Sequence, residues 1–356
     1  MSTIYITETQ IKVKVKSPYL LLCDRQEVRQ KFLINNVSQI ILWGRCYLSR
    51  EAASLATFRK IPILFIGDRG EDLGRLQHSH KRQPLCLKYQ KRRSLDNEFV
   101  LAIAESIIRA KLHNCYIVLQ RLQNSKFTPI LQIASEFLLL LIDDLAMANS
   151  LEEMREYVAI AASFYYPALA SLLPKGFHCK GRRKQPPTDG INCLLNLGYT
   201  LLHQIIEMFL EELGLHPDWG NLYTNSRHQS PLACDLMAEF RAPIIDELVA
   251  FLAISEIITP SDFLPTEKPN EVSLHPGILK VFFQHWENQL QTQIVHPYAG
   301  TVSYRHCLQL QIKEYINFLL GNSDRYRPLL LQVDSVPANV QSTEKPETKQ
   351  LYLVKR

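Results

Sequence analysis

The stretch GNLYTNSRHQSPLACDLMAEFR, from Gly220 to Arg241, joins a loop to a helix and decides the fold of the chain. An apolar helical run precedes it and stops at Gly214, a residue that readily adopts the left-handed conformation after a helix. Ser230 and Pro231 then form a typical helix start. Asp235 follows about one turn later, where the helix dipole favours a carboxylate that points back toward the loop. The pattern predicts a candidate site for a cation or a phosphate at this junction.

The composition is that of an ordinary soluble protein. The 356 residues are 46% hydrophobic and 21% charged, and this length predicts two domains. A formal net charge of +5 weakly favours an anionic partner. The eight cysteines form no C-x-x-C pair, so we expect reduced thiols in a cytoplasmic protein. The N-terminus lacks a signal pattern and the most apolar stretch is too short to span a bilayer, so no membrane association is expected.

The pattern of apolar residues changes along the chain. Ile11, Val13 and Val15 alternate with lysines, which is typical of a half-buried strand, and further apolar runs follow up to residue 76. A short helix with Ser49 as its cap interrupts them. Farther along the chain, Asp189 is expected to cap a helix, and Pro243 to kink another. From residue 96 to 333 the spacing is helical, and residues 334–356 are rich in polar residues and proline. We therefore predict an α+β protein: a small N-terminal β-rich domain (1–76), a basic linker (77–95), a larger all-α domain (96–333) and a flexible tail (334–356).

Basic residues concentrate in two clusters, one before and one within the helical domain. Together these candidates for DNA contacts are Arg75, Lys81, Arg82, Lys88, Lys91, Arg92, Arg93, Lys180, Arg182, Arg183 and Lys184. Lysine and arginine neutralise DNA phosphates and release counterions, so the clusters suit a nucleic-acid surface. They fit an ordinary solvated surface about as well.

The acids offer no clean metal cluster. Asp235 and Glu239 are four residues apart, which places them on one helical face, and His228 lies in the preceding loop. Two carboxylates on one helical face are usually surface charge. The nucleotide-binding glycine motifs, G-x-S-x-G and H-E-x-x-H are all absent from the sequence. The residues alone therefore predict a soluble two-domain protein that is a candidate for nucleic-acid binding.

Several stretches match one family in order between residues 3 and 330. They are VSQIILWG at 37–44, RAKLHN at 109–114, PPTDGIN at 186–192, DLM and EFR within 235–241, and HP at 296–297. Together they resemble the CRISPR-associated integrase/endonuclease family Cas1, which acts in spacer acquisition. The resemblance implies a homodimer formed through the β domains, binding of duplex or branched DNA, and a small Cas2 partner. It also implies attack of a 3′ hydroxyl on a phosphodiester aided by Mg²⁺ or Mn²⁺. Arg241, in the EFR stretch, joins the DNA-binding candidates.

The resemblance fails at the metal ligands. The family uses a glutamate, a histidine and two acids three residues apart, and these positions are Val158, Tyr223, Asp235 and Ala238 here. Only Asp235 is retained. Mg²⁺ prefers several oxygen ligands, and valine and alanine offer none. The sequence therefore predicts that nuclease and integrase activity is absent or strongly reduced.

Three functional hypotheses remain open from the sequence. The first is a non-catalytic DNA-binding or assembly subunit, dimerising with itself or with an active paralogue. The second is an active metal-dependent enzyme with a site rebuilt from Asp235, Glu239 and His228. The third is an unrelated helical protein with basic patches.

Overall fold

A computed structural model describes most of the chain. The described residues are 2–8, 10–25, 27–78, 83–123, 128–177, 179–183, 189–223, 230–265, 272–333 and 352–353. Of the candidate site residues, Lys81, Arg82, Lys184 and His228 lie outside these ranges.

The N-terminal part contains two sheets and one helix, as the sequence predicted. Its elements are β1 (Ser2–Ile6), β2 (Ile11–Lys16), β3 (Tyr19–Asp24), β4 (Glu27–Leu33), β5 (Val37–Trp43), β6 (Tyr47–Leu48), α1 (Arg50–Phe58), β7 (Ile63–Ile66) and β8 (Asp72–Leu76). Strands β4, β3, β2 and β6 form one sheet in that order. The second sheet places β1, β5, β7 and β8 side by side, with β1, β5 and β7 parallel. Ser49 accepts a hydrogen bond from the Ala52 amide and caps α1, as predicted.

The parallel sheet has an apolar residue at nearly every position, because both of its faces are buried. Alternate residues point to opposite faces of a strand. One face, which includes Ile4 and Ile40, packs inside the β-rich part. The other face, which includes Tyr5 and Ile41, belongs to the core of the helical part. The ring of Tyr5 stacks on Phe283 with centroids 4.3 Å apart. The two predicted domains therefore share a core.

Helices dominate the remainder of the chain. They are α2 (Pro84–Arg93), α3 (Asn97–Gln123), α4 (Pro129–Asp144), α5 (Leu151–Leu172), α6 (Gly190–Glu212), α7 (Pro231–Met237), α8 (Glu247–Ile254), α9 (Pro276–Gln291) and α10 (Tyr304–Leu320). Two short hairpins pair β9 (Phe263–Pro265) with β10 (Val272–Leu274) and β11 (Gln293–His296) with β12 (Gly300–Ser303). Among the described residues, α6 has the length and composition to cross a membrane, and 78% of its most apolar window is buried inside the fold.

Of the two predicted N-cap residues described next, one caps its helix and the other does not. Asp189 accepts a hydrogen bond from the Asn192 amide and caps α6, as predicted. Ser230 precedes α7, but its side chain makes no cap hydrogen bond; its hydroxyl donates to Glu207 at 2.5 Å. Pro243 lies in a π-helical turn, Arg241–Asp246, so the predicted kink takes this form.

The basic segment and the C-terminal segment both contain regular secondary structure. The basic segment includes α2, whose Cys86 and Gln90 are buried. The Gln90 side chain donates to the His216 carbonyl at 3.1 Å and accepts from the His216 backbone amide at 2.9 Å. Within the tail, Tyr352 and Leu353 form a short strand, β13, that pairs with β1. The rest of residues 334–356 lies outside the described residues. The basic segment is thus partly a packed component of the helical domain.

Candidate functional site

The four ligand positions come from three parts of the helical domain. Val158 lies on α5 and Tyr223 in the segment after α6; both are partly buried and pack on the main core. Asp235 lies on α7 and is 0% exposed, and Ala238, at the start of the next turn, is 2% exposed. The valine and alanine side chains have no atom that can bind a metal ion.

Asp235 is engaged with the backbone of the preceding loop. One carboxylate oxygen accepts hydrogen bonds from the amides of Asn221, at 2.6 Å, and Leu222, at 3.1 Å. The other oxygen accepts from the Tyr223 amide at 3.0 Å. Burial raises the pKa of Asp235 to about 6, although the three amide donors act in the opposite direction. The carboxylate points toward the loop, as predicted, and its role there is to hold the loop in place.

Arg155 supports the same loop from α5. Its Nε and Nη2 atoms both donate to the Leu222 carbonyl, at 3.0 and 2.7 Å. The loop is therefore fixed by its amides on Asp235 and by a carbonyl on Arg155.

Glu239 faces away from this loop. Its carboxylate accepts from the Tyr326 hydroxyl and the Leu329 amide, both at 2.7 Å, and from the Gln311 side chain at 3.3 Å. It is 0% exposed, and burial raises its pKa to about 7. The two acids that the sequence places on one helical face thus bind different parts of the chain, and residues 238–240 form a 3-10 turn.

The residues present do not fit the divalent cation that the family implies. Mg²⁺ and Mn²⁺ take oxygen ligands with free lone pairs, usually from more than one residue. Asp235 is buried, and three of the roughly four lone pairs of its carboxylate accept backbone amide hydrogens. Within the described ranges, no group of three histidine, cysteine or acidic residues is arranged to hold a metal ion. In this structure the carboxylates of Asp235 and Glu239 accept hydrogen bonds from different segments, and His228 lies outside the described residues.

Three of the predicted DNA-binding arginines have structural partners. Arg75 is 13% exposed at its side chain and forms ion pairs with Glu207 at 2.9 Å and Glu211 at 2.7 Å. These pairs attach β8 to α6. Arg93 pairs with Asp96 at 2.7 Å. Arg182 donates to the side chains of two asparagines of α6, at 3.0 and 2.6 Å. These contacts give the three arginines a structural role within the fold.

The remaining described candidates are mostly at the surface. The exposed ones are Lys88, Lys91, Arg92, Lys180 and Arg183. Both predicted clusters therefore keep charges that a DNA backbone could reach.

Arg241 and Asp246 contact a group of tyrosines that the sequence did not indicate. Asp246 is 1% exposed and accepts from the hydroxyls of Tyr165, at 3.0 Å, and Tyr199. The guanidinium groups of Arg182 and Arg241 lie 5.1 and 5.5 Å from the centroid of the Tyr199 ring. Burial raises the pKa of Asp246 to about 6. In the sequence, the sign of these contacts was an acid within the apolar run that follows Arg241.

Comparison with known proteins assigns a family to this arrangement. The model of the family described as CRISPR associated protein Cas1 matches residues 4–288. "CRISPR-associated endonuclease Cas1 4" of Methanospirillum hungatei is 26% identical over 92% of this chain and 91% of its own length. "CRISPR-associated endonuclease Cas1 3" of Thermus thermophilus is 27% identical over 93% of this chain and 98% of its own.

Solved structures share the fold. A "Casposase bound to integration product" superposes with a TM-score of 0.82 at 21% identity, over 96% of this chain and 97% of that one. A Cas1 protein from Thermotoga maritima superposes with a TM-score of 0.76 at 19% identity, over 92% of this chain and 99% of that one. A "Cas6-RT-Cas1--Cas2 complex" gives 0.78 at 18% identity, over 92% of this chain and 36% of that one.

Proposed function

Because the chain belongs to the Cas1 family of CRISPR-associated proteins, we propose that it is a DNA-binding member without the metal-dependent chemistry of its endonuclease relatives. The observation that supports this most is the engagement of Asp235. The single retained ligand is buried and uses both oxygens to bind loop amides. The other three positions are Val158, Tyr223 and Ala238, so a metal ion would find too little negative charge.

We propose that the DNA-binding surface consists of the exposed basic residues of α2 and of the segment before α6. The net charge of +5 favours the same ligand class. The described fold resembles that of a "Casposase bound to integration product". We further propose a cytoplasmic homodimer formed through the β-rich part, with a Cas2 subunit or an active paralogue as partner; a Cas1–Cas2 complex is among the similar structures.

A nicking assay on branched DNA with Mn²⁺ tests the proposal directly. The purified protein should bind the DNA and leave it intact under conditions in which an active relative cleaves it. Asp235→Asn serves as the matched variant because asparagine keeps the shape of the side chain. Mn²⁺-dependent cleavage that Asp235→Asn abolishes, with an unchanged melting temperature, would refute the non-catalytic assignment.

Restoring the missing ligands is the converse experiment. The variant Val158→Glu/Tyr223→His/Ala238→Asp returns three ligand types while leaving Asp235 in place. Cleavage by this variant would show that the three altered positions account for the inactivity. A folded but inactive variant would show that the engagement of Asp235 with its loop also prevents metal binding.

A further inference from the structure

Helix α4 has more apolar surface than its packing in the fold uses. One of its sides, which includes Leu131 and Leu138, belongs to the main core. A second apolar stripe runs beside it and consists of Ile130, Ile133, Phe137 and Leu140. Their spacing of three and four residues places them on one side of the helix. A surface helix usually has a single apolar stripe, and a helix that is apolar over more of its circumference is usually buried there as well.

The second stripe is open to solvent in the described part of the chain. The side chains of Ile133 and Leu140 are 51% and 57% exposed. The ring of Phe137 stacks on Phe164 of α5 with centroids 4.0 Å apart, and Ile160, one turn before Phe164, is exposed as well. The stripe and Ile160 therefore form one apolar surface, called here the α4–α5 face. A contiguous exposed apolar surface of this kind marks an interaction site.

Acidic residues border the α4–α5 face, although the whole chain is basic. Residues 129–172 contain six acids and one base, whereas the chain has a net charge of +5. The six acids, all exposed, are Glu136, Asp143, Asp144, Glu152, Glu153 and Glu156. The base, Arg155, pairs with Glu152 and donates to the Leu222 carbonyl. The other five acids form no ion pair with any described residue, so they are available to the cations of a partner.

These charges select the kind of partner. DNA and anionic lipids carry negative charge and would be repelled. A second copy that used the same face would place acids against acids, because a two-fold interface brings identical surfaces together. The C-terminal tail of this chain offers little: residues 334–350 contain three apolar residues, and Tyr352 and Leu353 pair with β1. A helix with one apolar stripe and flanking lysines or arginines matches both the shape and the charge of the face.

We propose that the α4–α5 face binds a partner protein through a basic amphipathic helix. The apolar stripe of that helix packs on Ile133, Leu140 and their neighbours, and its cations pair with the bordering acids. The proposed DNA contacts lie on other elements, α2 and the segment before α6, so this surface is a separate one. The inference does not depend on DNA binding.

The first experiment measures the fluorescence anisotropy of a labelled synthetic peptide. The peptide has about 18 residues, or five helical turns, with leucines along one stripe and lysines elsewhere. The wild-type protein should bind it, and Ile133→Ser/Leu140→Ser should weaken the affinity at least about tenfold. Phe58→Ser is the matched control, because Phe58 is an exposed apolar residue on α1, and its loss should leave the affinity unchanged. Unchanged affinity in the double variant would overturn the proposal.

The second experiment tests the charges. A peptide with glutamate in place of lysine should not bind the wild-type protein. Glu136→Gln/Glu156→Gln, which changes two exposed acids on α4 and α5, should weaken binding of the lysine peptide and reduce its dependence on salt. Glu27→Gln/Glu98→Gln removes two exposed acids from other elements and should have no such effect. Equal binding of the glutamate and lysine peptides would refute the charge complementarity on which the proposal depends.

Sedimentation equilibrium separates a partner helix from a second copy of the chain. The wild-type protein and Ile133→Ser/Leu140→Ser should have the same molar mass in solution. A smaller species in the double variant would show that a second copy covers the face, and the proposal would be wrong. DNA affinity should be the same in both proteins. A wild-type protein that binds the lysine peptide but no DNA would support this inference and refute the proposed DNA-binding function.

Discussion

Replacing Asp235 by alanine tests whether its carboxylate has a structural or a catalytic role. In a metal site, removing an acid usually changes activity and leaves stability nearly unaltered. Here the acid is 0% exposed and accepts three backbone amides. The substitution should therefore destabilise the fold.

The size of the effect follows from the contacts. A buried donor that loses its acceptor costs about 1–3 kcal/mol, and Asp235→Ala leaves three such amides. Removing a buried carboxylate also returns part of its desolvation cost. The net loss is about 3–5 kcal/mol, a large share of the roughly 5–15 kcal/mol typical of a folded protein.

Urea denaturation followed by circular dichroism measures this change. With a slope of about 3 kcal/mol per molar urea, a loss of that size lowers the midpoint by roughly 1–1.7 M. Glu156→Ala is the matched control, because Glu156 is an exposed acid on α5, and it should change the free energy of unfolding by less than about 0.5 kcal/mol. If Asp235→Ala matches this control, Asp235 does not hold the loop and the argument for a non-catalytic centre loses its main support.

Three further predictions concern other parts of the fold. Burial raises the pKa of Glu239 to about 7, so the folded state binds an extra proton between about pH 4 and 7 and loses stability as the pH rises through this window. Glu239→Gln should therefore flatten the pH dependence of the melting temperature, and an unchanged profile would contradict this. Arg75→Met should cost about 1–3 kcal/mol in urea denaturation without weakening DNA binding, whereas Lys91→Met should do the reverse. Gly198→Ala should lower stability by about 1–3 kcal/mol, because the new Cβ would lie 2.5 Å from Ile245, and a melting temperature at or above wild type would show that Ile245 adjusts freely.

Local patterns in the sequence predicted local structure well. Period-two alternation identified β2, and apolar runs identified β5 and β7. Ser49 and Asp189 marked helix starts, because a cap depends on residues only three positions away. The role of Arg75 could not be predicted in this way. Its partner Glu211 is 136 residues distant in sequence, so an exposed basic residue and a paired one look alike until the chain is folded.

The candidate site shows the same limit at shorter range. The sequence identified the four ligand positions through a family resemblance and predicted that Asp235 points toward its loop. The partners of Glu239 could not be predicted in this way, because Tyr326 and Leu329 are 87 and 90 residues distant in sequence. Asp235 also shows why a retained acid is weak evidence of activity: the loop requires it whether or not a metal is bound.

The parallel sheet, with one face in each hydrophobic core, limits how this protein can be recombined with its relatives. A chimera that joins the β-rich part of this chain to the helical part of an active relative replaces only one side of a packed interface. Tyr5 and Ile41 would then meet foreign partners in place of Phe283 and its neighbours. A chimera that folds would have to exchange the residues of β1, β5 and β7 that face the helices together with the helices themselves. The exchanged part therefore extends across the boundary near residue 76.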